Sequence, residues 1–483
     1  MHKIFLFTIL SLFLGSPVKA QVKPKVQVST DVSVGGGENS PFWLVSNKQG
    51  LSSLDPNNGY VRGTVTKDLN RTKRFDYAYG IDLAGAWNNT SSFIIQQLYG
   101  EIKYRSLFLS VGSKERIGEF SNPDLSSGDV TISGNARPIP QVRAGFNRWV
   151  SPFKSCNWFA LKGDVSYGWF TDKRFQEKRV NKQYGMMSTG VKYHHKAIYF
   201  KFGNEQKHRW LIEAGYVLDS EFGGKSTWYK NGQPDRVDDA PDGLKEYAKA
   251  FFPMQGSSTY YEGNYVGGWQ IKMSYNINKE HKLRIGMENI FDDASSMGKL
   301  NGFDGLWSLE YNTTNNGLIT SALFEYFQTT NQSGPLHWYP SDNPNPSDVW
   351  HHAPGADNYY NNYFYSGWSH WGQALGNPLI TSPLYNQNNL LSFTNNRVRA
   401  FHGGVKGMIF PNLEHRVLLT YMKGWGTPFY PFTHTQESFS GLLELKYQSE
   451  KIYDIAVKLS LAADFGNLLG NNWGVNINLS KSF

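Results

Sequence analysis

Cysteine, long apolar runs and basic clusters are all scarce in this 483-residue chain. Its one cysteine, Cys156, has no second cysteine with which to form an internal disulfide, so no covalent crosslink stabilises the fold. After residue 20, no apolar run approaches the roughly 18 residues that a spanning helix needs, which argues against a helical membrane protein. Because no basic cluster is present, nucleic acid is not an expected partner.

The first twenty residues have the pattern of a secretory signal peptide. Lys3 precedes an apolar run over 4–14, and Val18-Lys-Ala20 places small residues before Gln21. We therefore expect cleavage after Ala20 and export of residues 21–483 as a single domain. Cleavage lowers the formal net charge of +8 by two. The remaining mild excess permits contact with anionic glycans or lipid A phosphates without requiring it.

The last eleven residues alternate between apolar and polar side chains. Trp473, Val475, Ile477 and Leu479 fall on one face of a strand, and the polar residues between them fall on the other. About ten residues is enough for a tilted strand to cross a hydrocarbon layer. The terminal Phe483 resembles the last residue of Gram-negative outer-membrane barrels, which is read by the barrel-insertion machinery. By itself, this segment fits an ordinary half-buried strand equally well.

The same alternation recurs along the chain, and aromatic residues make up 15% of it. It predicts eighteen strands, near residues 26–34, 60–67, 74–87, 93–104, 107–112, 141–150, 156–170, 197–203, 208–217, 265–275, 281–289, 305–311, 317–328, 396–408, 415–423, 437–447, 453–463 and 473–483.

Connection lengths support a barrel. If Phe483 lies at the periplasmic end, every connection assigned to the periplasm is short, and the long connections, such as 218–264 and 329–395, all lie outside. We therefore predict an all-β fold, a transmembrane antiparallel β-barrel of about 18 strands in the cell outer membrane. A soluble β-sandwich or propeller is the alternative. Within the 218–264 loop, 241–252 has helical spacing, with Leu244, Tyr247, Ala248 and Phe251 on the face expected to pack over the barrel mouth.

Several phrases together resemble the capsule assembly Wzi family. They are Ser40-Pro-Phe-Trp-Leu-Val-Ser-Asn-Lys48, Leu125-Ser-Ser-Gly128, Ser133-Gly-Asn-Ala-Arg-Pro-Ile-Pro140, Phe291-Asp-Asp-Ala-Ser-Ser-Met297, Phe303-Asp-Gly-Leu306, Thr329-Thr-Asn-Gln-Ser-Gly-Pro335, Asp357-Asn-Tyr-Tyr-Asn-Asn-Tyr-Phe-Tyr-Ser-Gly-Trp368 and Asn377-Pro-Leu-Ile380. The resemblance implies an eighteen-stranded outer-membrane barrel that holds capsular or other surface polysaccharide at the cell surface. One departure is that no segment here supplies the periplasmic helical bundle attributed to better-known members.

Aromatic and amide residues concentrate between His337 and Trp371, which contain four of the fifteen tryptophans. Aromatic rings pack on the apolar faces of pyranoses, and amides and phenols bind hydroxyls. The candidate polysaccharide-binding residues are Trp338, Tyr339, Trp350, Tyr359, Tyr360, Asn361, Trp368 and Trp371. Alternatively, these aromatics form the interface girdle or pack the loop onto itself.

The segment 135–140 is a candidate loop that reaches into the lumen. An eighteen-stranded barrel without such a loop is wide enough to be a channel, and an inward loop would close it. Arg137 would then contact carboxylates in the lumen. The alternative is a surface loop stiffened by Pro138 and Pro140.

Other polar clusters indicate no catalytic or metal chemistry. The acidic doublets Asp238-Asp239 and Asp292-Asp293 lack calcium-site spacing, and the doublets His194-His195 and His351-His352 lack a third spaced ligand. No nucleophile elbow or phosphate loop is present. We expect no cofactor, no metal and no catalytic residue.

Three functions are consistent with the sequence. The first is non-catalytic assembly or retention of surface polysaccharide, with outer-membrane lipids, the insertion machinery and polysaccharide-export proteins as further partners. The second is a porin-like channel. The third is a glycan-modifying enzyme of the outer membrane.

Overall fold

The computed structural model describes residues 24–153, 157–205, 207–252, 263–292, 297–299, 301–332, 357–449 and 454–483. Eighteen strands form one antiparallel sheet. In chain order they are β1 (Lys25–Gly36), β2 (Asn58–Lys67), β3 (Phe75–Trp87), β4 (Phe93–Tyr104), β5 (Leu107–Ser113), β6 (Gln141–Phe146), β7 (Phe159–Trp169), β8 (Lys192–Phe202), β9 (Trp210–Phe222), β10 (Asn264–Asn276), β11 (His281–Phe291), β12 (Gly305–Thr313), β13 (Ser321–Gln328), β14 (Val398–Phe410), β15 (Leu413–Gly426), β16 (Pro431–Ser449), β17 (Ile455–Gly466) and β18 (Asn472–Ser482).

The sheet closes into a barrel through its first and last strands. β1 pairs with β2, and it also pairs with β18 in a register that sets Gly36 opposite Trp473 and Gln27 opposite Ser482. The backbone N–H of Phe483 donates to the carbonyl of Val26 at 2.9 Å, which extends the seam to the last residue. Closure leaves no edge strand among the eighteen described strands of this sheet. The predicted eighteen-stranded antiparallel barrel is confirmed.

The barrel wall is apolar outside and polar inside. Along β3, Phe75 is 60% exposed on the outer surface, whereas Asp82 is fully buried on the inner one. Val28 and Val32 face outward on β1, as do Ile477 and Leu479 on β18. Successive side chains of a strand point to opposite faces, so this two-residue period places apolar groups toward lipid and polar groups toward the lumen.

Several strand boundaries differ from the sequence prediction. β8 begins at Lys192 rather than 197, because two adjacent histidines, His194 and His195, interrupt the apolar alternation used to find strands. β16 is longer than predicted, from Pro431 to Ser449, whereas β6 ends at Phe146 rather than 150.

The two ends of the barrel differ in their connections. One end carries both termini and short turns, such as 105–106 and 411–412, and is called the short-turn end below. The opposite, long-loop end carries 37–57, 114–140, 170–191, 223–263, 292–304 and 329–397. This asymmetry is the one expected from the sequence.

The loops carry small elements of their own. They include α1 (Phe42–Val45), α2 (Lys173–Arg179), α3 (Leu244–Phe251), a 3₁₀ turn (Pro383–Tyr385), a three-stranded sheet (Met186–Thr189, Lys225–Lys230, Gln233–Asp239) and a two-stranded one (Ser369–His370, Gln373–Ala374). Within the described ranges, no helix is both long and apolar enough to span a bilayer.

The predicted helix in 241–252 is present as α3, and of the residues predicted to pack, Tyr247 and Phe251 do so, whereas Leu244 and Ala248 do not. Leu244 is 89% exposed, Ala248 is exposed, and Ala250 is buried. Tyr247 packs on the rings of Tyr167 and Phe222 at the long-loop ends of β7 and β9. These wall rings fix the contact face around Tyr247 and Ala250, one turn beyond Leu244.

Candidate functional site

Four loops from the long-loop end fold inward and occupy the lumen. We call 37–57, 114–140, 170–191 and 357–397 together the plug. Many of its side chains are fully buried although they belong to loops, and the largest of them are Phe42, Leu125, Tyr359, Tyr360, Phe364, Tyr365, Trp368 and Phe393. The polar inner wall therefore faces packed protein rather than open solvent over much of the lumen.

The 114–140 loop crosses the lumen and is fixed to carboxylates on the far wall. The amide of Asn122 donates to Glu310 on β12 at 2.8 Å. The backbone N–H of Val130 donates to Glu288 on β11 at 2.9 Å. A loop has no repeating partner for its backbone groups, so these wall carboxylates satisfy donors that burial would otherwise leave unpaired.

The 37–57 loop is anchored to the opposite part of the wall. The backbone N–H of Phe42 donates to the carboxylate of Asp464 on β17 at 2.9 Å. The indole N–H of Trp43 donates to Thr420 on β15 at 3.1 Å. The amide of Asn47 donates to the carbonyl of Ser127 at 2.9 Å, which joins this loop to the one that crosses the lumen.

The 357–397 segment packs on the crossing loop from the long-loop side. The indole N–H of Trp368 donates to the carbonyl of Thr131 at 2.8 Å, and the hydroxyl of Tyr360 donates to the carbonyl of Val130. The backbone N–H of Ser133 donates to the carbonyl of Leu375 at 2.7 Å. Aromatic rings and backbone pairing thus join two loops that are far apart in sequence into one body.

The structure divides the sequence-predicted aromatic residues into three groups. Trp338, Tyr339 and Trp350 lie outside the described residues. Tyr359, Tyr360 and Trp368 are fully buried in the plug, so they present no ring face to a ligand at the surface. Asn361 and Trp371 are half-buried near the rim. For the three buried rings, the structure matches the alternative in which the loop packs onto itself.

Asn361 and Trp371 both contribute to loop packing. The amide of Asn361 donates to the carbonyl of Phe393 at 2.8 Å and accepts from its backbone N–H at 2.8 Å. The ring of Trp371 packs against Phe175 of α2, with ring centroids 6.1 Å apart and the ring planes tilted by 47°. Their remaining exposed surface faces the long-loop end.

Arg137 lies inside the plug, but its predicted contact with carboxylates is wrong. Its guanidinium donates to the Thr90 hydroxyl at 2.6 Å and to the Gly50 carbonyl at 3.4 Å, and it lies 4.3 Å from the ring centre of Trp371. Burial lowers the pKa of Arg137 to about 10. Neutral acceptors and an aromatic face therefore hold this cation, which ties the crossing loop to the 37–57 and 88–92 loops.

An aromatic surface patch lies at the long-loop end. Tyr363 is 50% exposed and lies beside Trp228 of the small loop sheet, with ring centroids 5.8 Å apart. The guanidinium of Arg236 lies 5.0 Å from the centre of the Trp228 ring and donates to the Tyr363 hydroxyl at 2.7 Å. This cluster of flat amphipathic rings with a cation is open to solvent.

A second feature of this end is an amide-lined pocket of about 440 Å³, called the rim pocket below. Its polar lining comes from three loops and consists of Glu38, Asn39, Tyr385, Gln387, Asn467 and Asn471. The Tyr385 hydroxyl is shielded from solvent and has no hydrogen-bond partner among the described residues. Sequence reasoning missed this pocket, although the amide-rich runs 386–389 and 467–472 are its signal.

The described residues of the acidic and histidine doublets do not come together in one site. Asp238 pairs with Arg236, and Asp239 pairs with Lys225 at 3.3 Å, so both carboxylates serve the small loop sheet. His195 contacts Asp219 at 2.7 Å inside the wall. Asp293, His351 and His352 lie outside the described residues. Within the described ranges, no three histidine, cysteine or acidic residues converge as a metal site.

No family model and no curated protein matches the chain. Among solved structures, the chain is similar to Wzi of Escherichia coli, described as an outer membrane protein involved in group 1 capsule assembly and as a carbohydrate-binding β-barrel. The TM-score is 0.58 at 12% identity, over 94% of this chain and 83% of that one. OccAB2 of Acinetobacter baumannii gives 0.47 at 10% identity over 97% and 99%, and OpdQ of Pseudomonas aeruginosa gives 0.48 at 9% over 96% and 99%. At 12% identity, the likeness to Wzi shows the fold alone, a closed barrel of the outer-membrane type.

Proposed function

We propose that this protein is a non-catalytic barrel of the outer membrane that assembles or retains capsular or other surface polysaccharide. The observation that carries the proposal is the plug: the loops that fill the lumen also form a rim surface of rings and amides. A barrel of this width without inward loops would serve passage. A barrel whose lumen is packed is suited to present a surface.

The rim surface has the chemistry that a glycan requires. Amides in the rim pocket offer both donors and acceptors to hydroxyl groups. The Tyr385 hydroxyl, which has no partner among the described residues, adds one more hydrogen-bonding group. The rings of Tyr363 and Trp228 offer flat faces to pyranose rings. The volume of the rim pocket, about 440 Å³, lies within the range of small-ligand sites and accommodates one or two sugar units of a longer chain.

The sidedness of the barrel supports the same proposal. Outer-membrane barrels have short periplasmic turns and long exterior loops. With the short-turn end in the periplasm, Phe483 lies where the insertion machinery acts, and the rim surface faces the medium where polysaccharide accumulates. We also propose that the protein is exported through a signal peptide at 1–20 and that it is a member of the Wzi family.

The proposal is tested by measuring the cell-bound and the shed polysaccharide of a strain that lacks this protein. We expect total polysaccharide to be nearly unchanged and the cell-bound share to fall. Complementation with a Tyr385→Phe, Gln387→Ala double variant should restore retention only in part. Gln183→Ala removes an exposed amide of another loop at the same end and should restore it fully. Unchanged retention in the deletion strain would overturn the proposal.

Two further measurements separate the alternatives. A porin-like channel predicts a large steady conductance in planar bilayers, whereas the plugged barrel predicts none. A glycan-modifying enzyme predicts a change in chain length or acylation when purified protein is incubated with the cell's own glycan. The plug favours retention over the first of these, and no described side-chain arrangement favours the second.

A further inference from the structure

A cavity of about 320 Å³ lies inside the barrel, between the crossing loop and the wall from β4 to β9. Phe108, Phe146 and Asn147 line it close to the turns of the short-turn end, so it reaches toward that end. The plug residues Ser133, Ala136 and Leu375 line its opposite side. The cavity is therefore separate from the rim pocket and from the surface proposed to hold polysaccharide.

Most charges that line this cavity are paired with each other. Lys114 contacts Glu101 at 2.9 Å, and Lys162 contacts Glu119 at 2.6 Å. Arg143 contacts Asp164 at 2.6 Å, and His195 lies 3.3 Å from the same carboxylate. Asp129 is bound by Ser121 and by the amide of Gln270. Asp129 and Arg137, which also lines the cavity, add one charge of each sign, so the lining apart from Arg116 has little net charge.

Arg116 differs from these paired charges in two of its three guanidinium nitrogens. The Nε and Nη2 atoms are shielded from solvent and have no hydrogen-bond partner among the described residues. The residue is held in place through its backbone, since its carbonyl accepts the amide of Gln49 at 2.9 Å. Burial and the neighbouring Arg143 lower the pKa of Arg116 to about 9, so it is still a cation at neutral pH. A buried guanidinium with free N–H groups is costly unless an anion binds it.

We infer that Arg116 binds the carboxylate of a small hydroxylated acid, no larger than a single sugar unit, that enters this cavity. A planar guanidinium matches a carboxylate through two parallel hydrogen bonds. Because the charges of the other lining residues balance one another, one added negative charge neutralises that of Arg116, whereas the doubly charged form of phosphate adds a second negative charge. Gln141 also lines the cavity with a shielded, unpartnered Oε1, which accepts a hydroxyl of the same molecule. This inference does not depend on the proposed function.

Calorimetric titration of the purified full-length protein in detergent tests the inference. The probes are galacturonate, galactose and inorganic phosphate, which separate the carboxylate from the sugar ring and from a second anionic charge. We expect galacturonate to bind and galactose to bind at least about tenfold more weakly. Equal affinity for galacturonate and galactose, or tighter binding of phosphate, would overturn the inference.

Variants connect the binding to Arg116. Arg116→Met should weaken galacturonate binding about tenfold or more, and Arg116→Lys, which keeps the charge without the planar fork, should weaken it to a lesser degree. Arg399→Met, which removes an arginine exposed on the outer wall, should change nothing. Unchanged affinity in either Arg116 variant contradicts the assignment.

Folding is checked on the same samples by heat-modifiable gel mobility and thermal unfolding. We expect Arg116→Met without ligand to be at least as stable as the original protein, because a buried charge without a partner is removed. Should Arg116→Met fail to fold, Arg116→Lys and Gln141→Leu carry the same test, since both are expected to weaken galacturonate binding.

Discussion

Ser127 of the crossing loop donates twice to one carboxylate oxygen of Glu325 on β13, from its backbone N–H at 2.8 Å and from its hydroxyl at 2.6 Å. The neighbouring Ser126 hydroxyl donates to the other oxygen at 2.7 Å. Glu325 is 2% exposed. One wall carboxylate thus holds the middle of the plug.

Replacing Glu325 should loosen the plug without opening the wall. Glu325→Ala leaves buried donors of Ser126 and Ser127 unpaired, at about 1–3 kcal/mol for each group. We expect intermittent conductance in planar bilayers and faster hydrogen exchange over 122–131. Glu414→Ala, near the 411–412 turn, is the matched control and should change neither the conductance nor the hydrogen exchange. Conductance equal to that of the original protein would show that other contacts hold the plug.

Trp368 should be a main determinant of plug stability. Its side chain is fully buried, and its indole N–H donates to Thr131. Trp368→Ala removes a large buried ring, at about 3–5 kcal/mol. Trp368→Phe keeps most of the volume and leaves the carbonyl unpaired, at about 1–3 kcal/mol. Hydrogen exchange over 127–137 should rise in that order while exchange in the wall strands is unchanged. Equal exchange in both variants would contradict the packing argument.

Tyr385→Phe should separate binding from stability. Because the hydroxyl is shielded and has no described partner, its removal should leave the ligand-free unfolding temperature unchanged or raise it. Binding of the cell's own polysaccharide to purified protein should weaken. Tyr184→Phe, which alters an exposed tyrosine on another loop at the same end, serves as the control. A fall in stability would mean that the hydroxyl supports the fold instead.

Lys48 should make plug stability depend on pH. Burial in the lumen, with Lys458 and Arg416 nearby, lowers the pKa of Lys48 to about 7. The unfolded chain, with an ordinary lysine pKa of about 10.4, binds more protons above pH 7, so stability should rise from about pH 7 to 10. Below that window the full cost of the buried charge applies.

The measurement is the unfolding temperature at neutral and alkaline pH. Lys48→Met should raise it most at pH 7 and below and should flatten its rise with pH. Lys25→Met, which removes an exposed lysine paired with Asp68, should keep the original slope. A slope that persists in Lys48→Met would assign the pH dependence to another group.

The sequence by itself determined the barrel wall. A side-chain period of two is a local property of a strand, so the alternation in 473–483 and in its seventeen counterparts was visible without any partner. Connection lengths then separated the two ends. Predicted boundaries were wrong where polar residues such as His194 and His195 interrupt the apolar alternation.

Only the tertiary structure decided what the loops do. Tyr360, Trp368 and Arg137 read as surface or lumen residues in the sequence, and their burial depends on contacts such as Trp368 with Thr131, which are separated by 237 residues. The rim pocket joins three loops. Two guanidinium nitrogens of Arg116 have no partner among the described residues, since Lys114 and Arg143 already bind the carboxylates of Glu101 and Asp164. Loop conformation follows from such distant pairings, because loops have no repeating pattern of their own to reveal which face is buried.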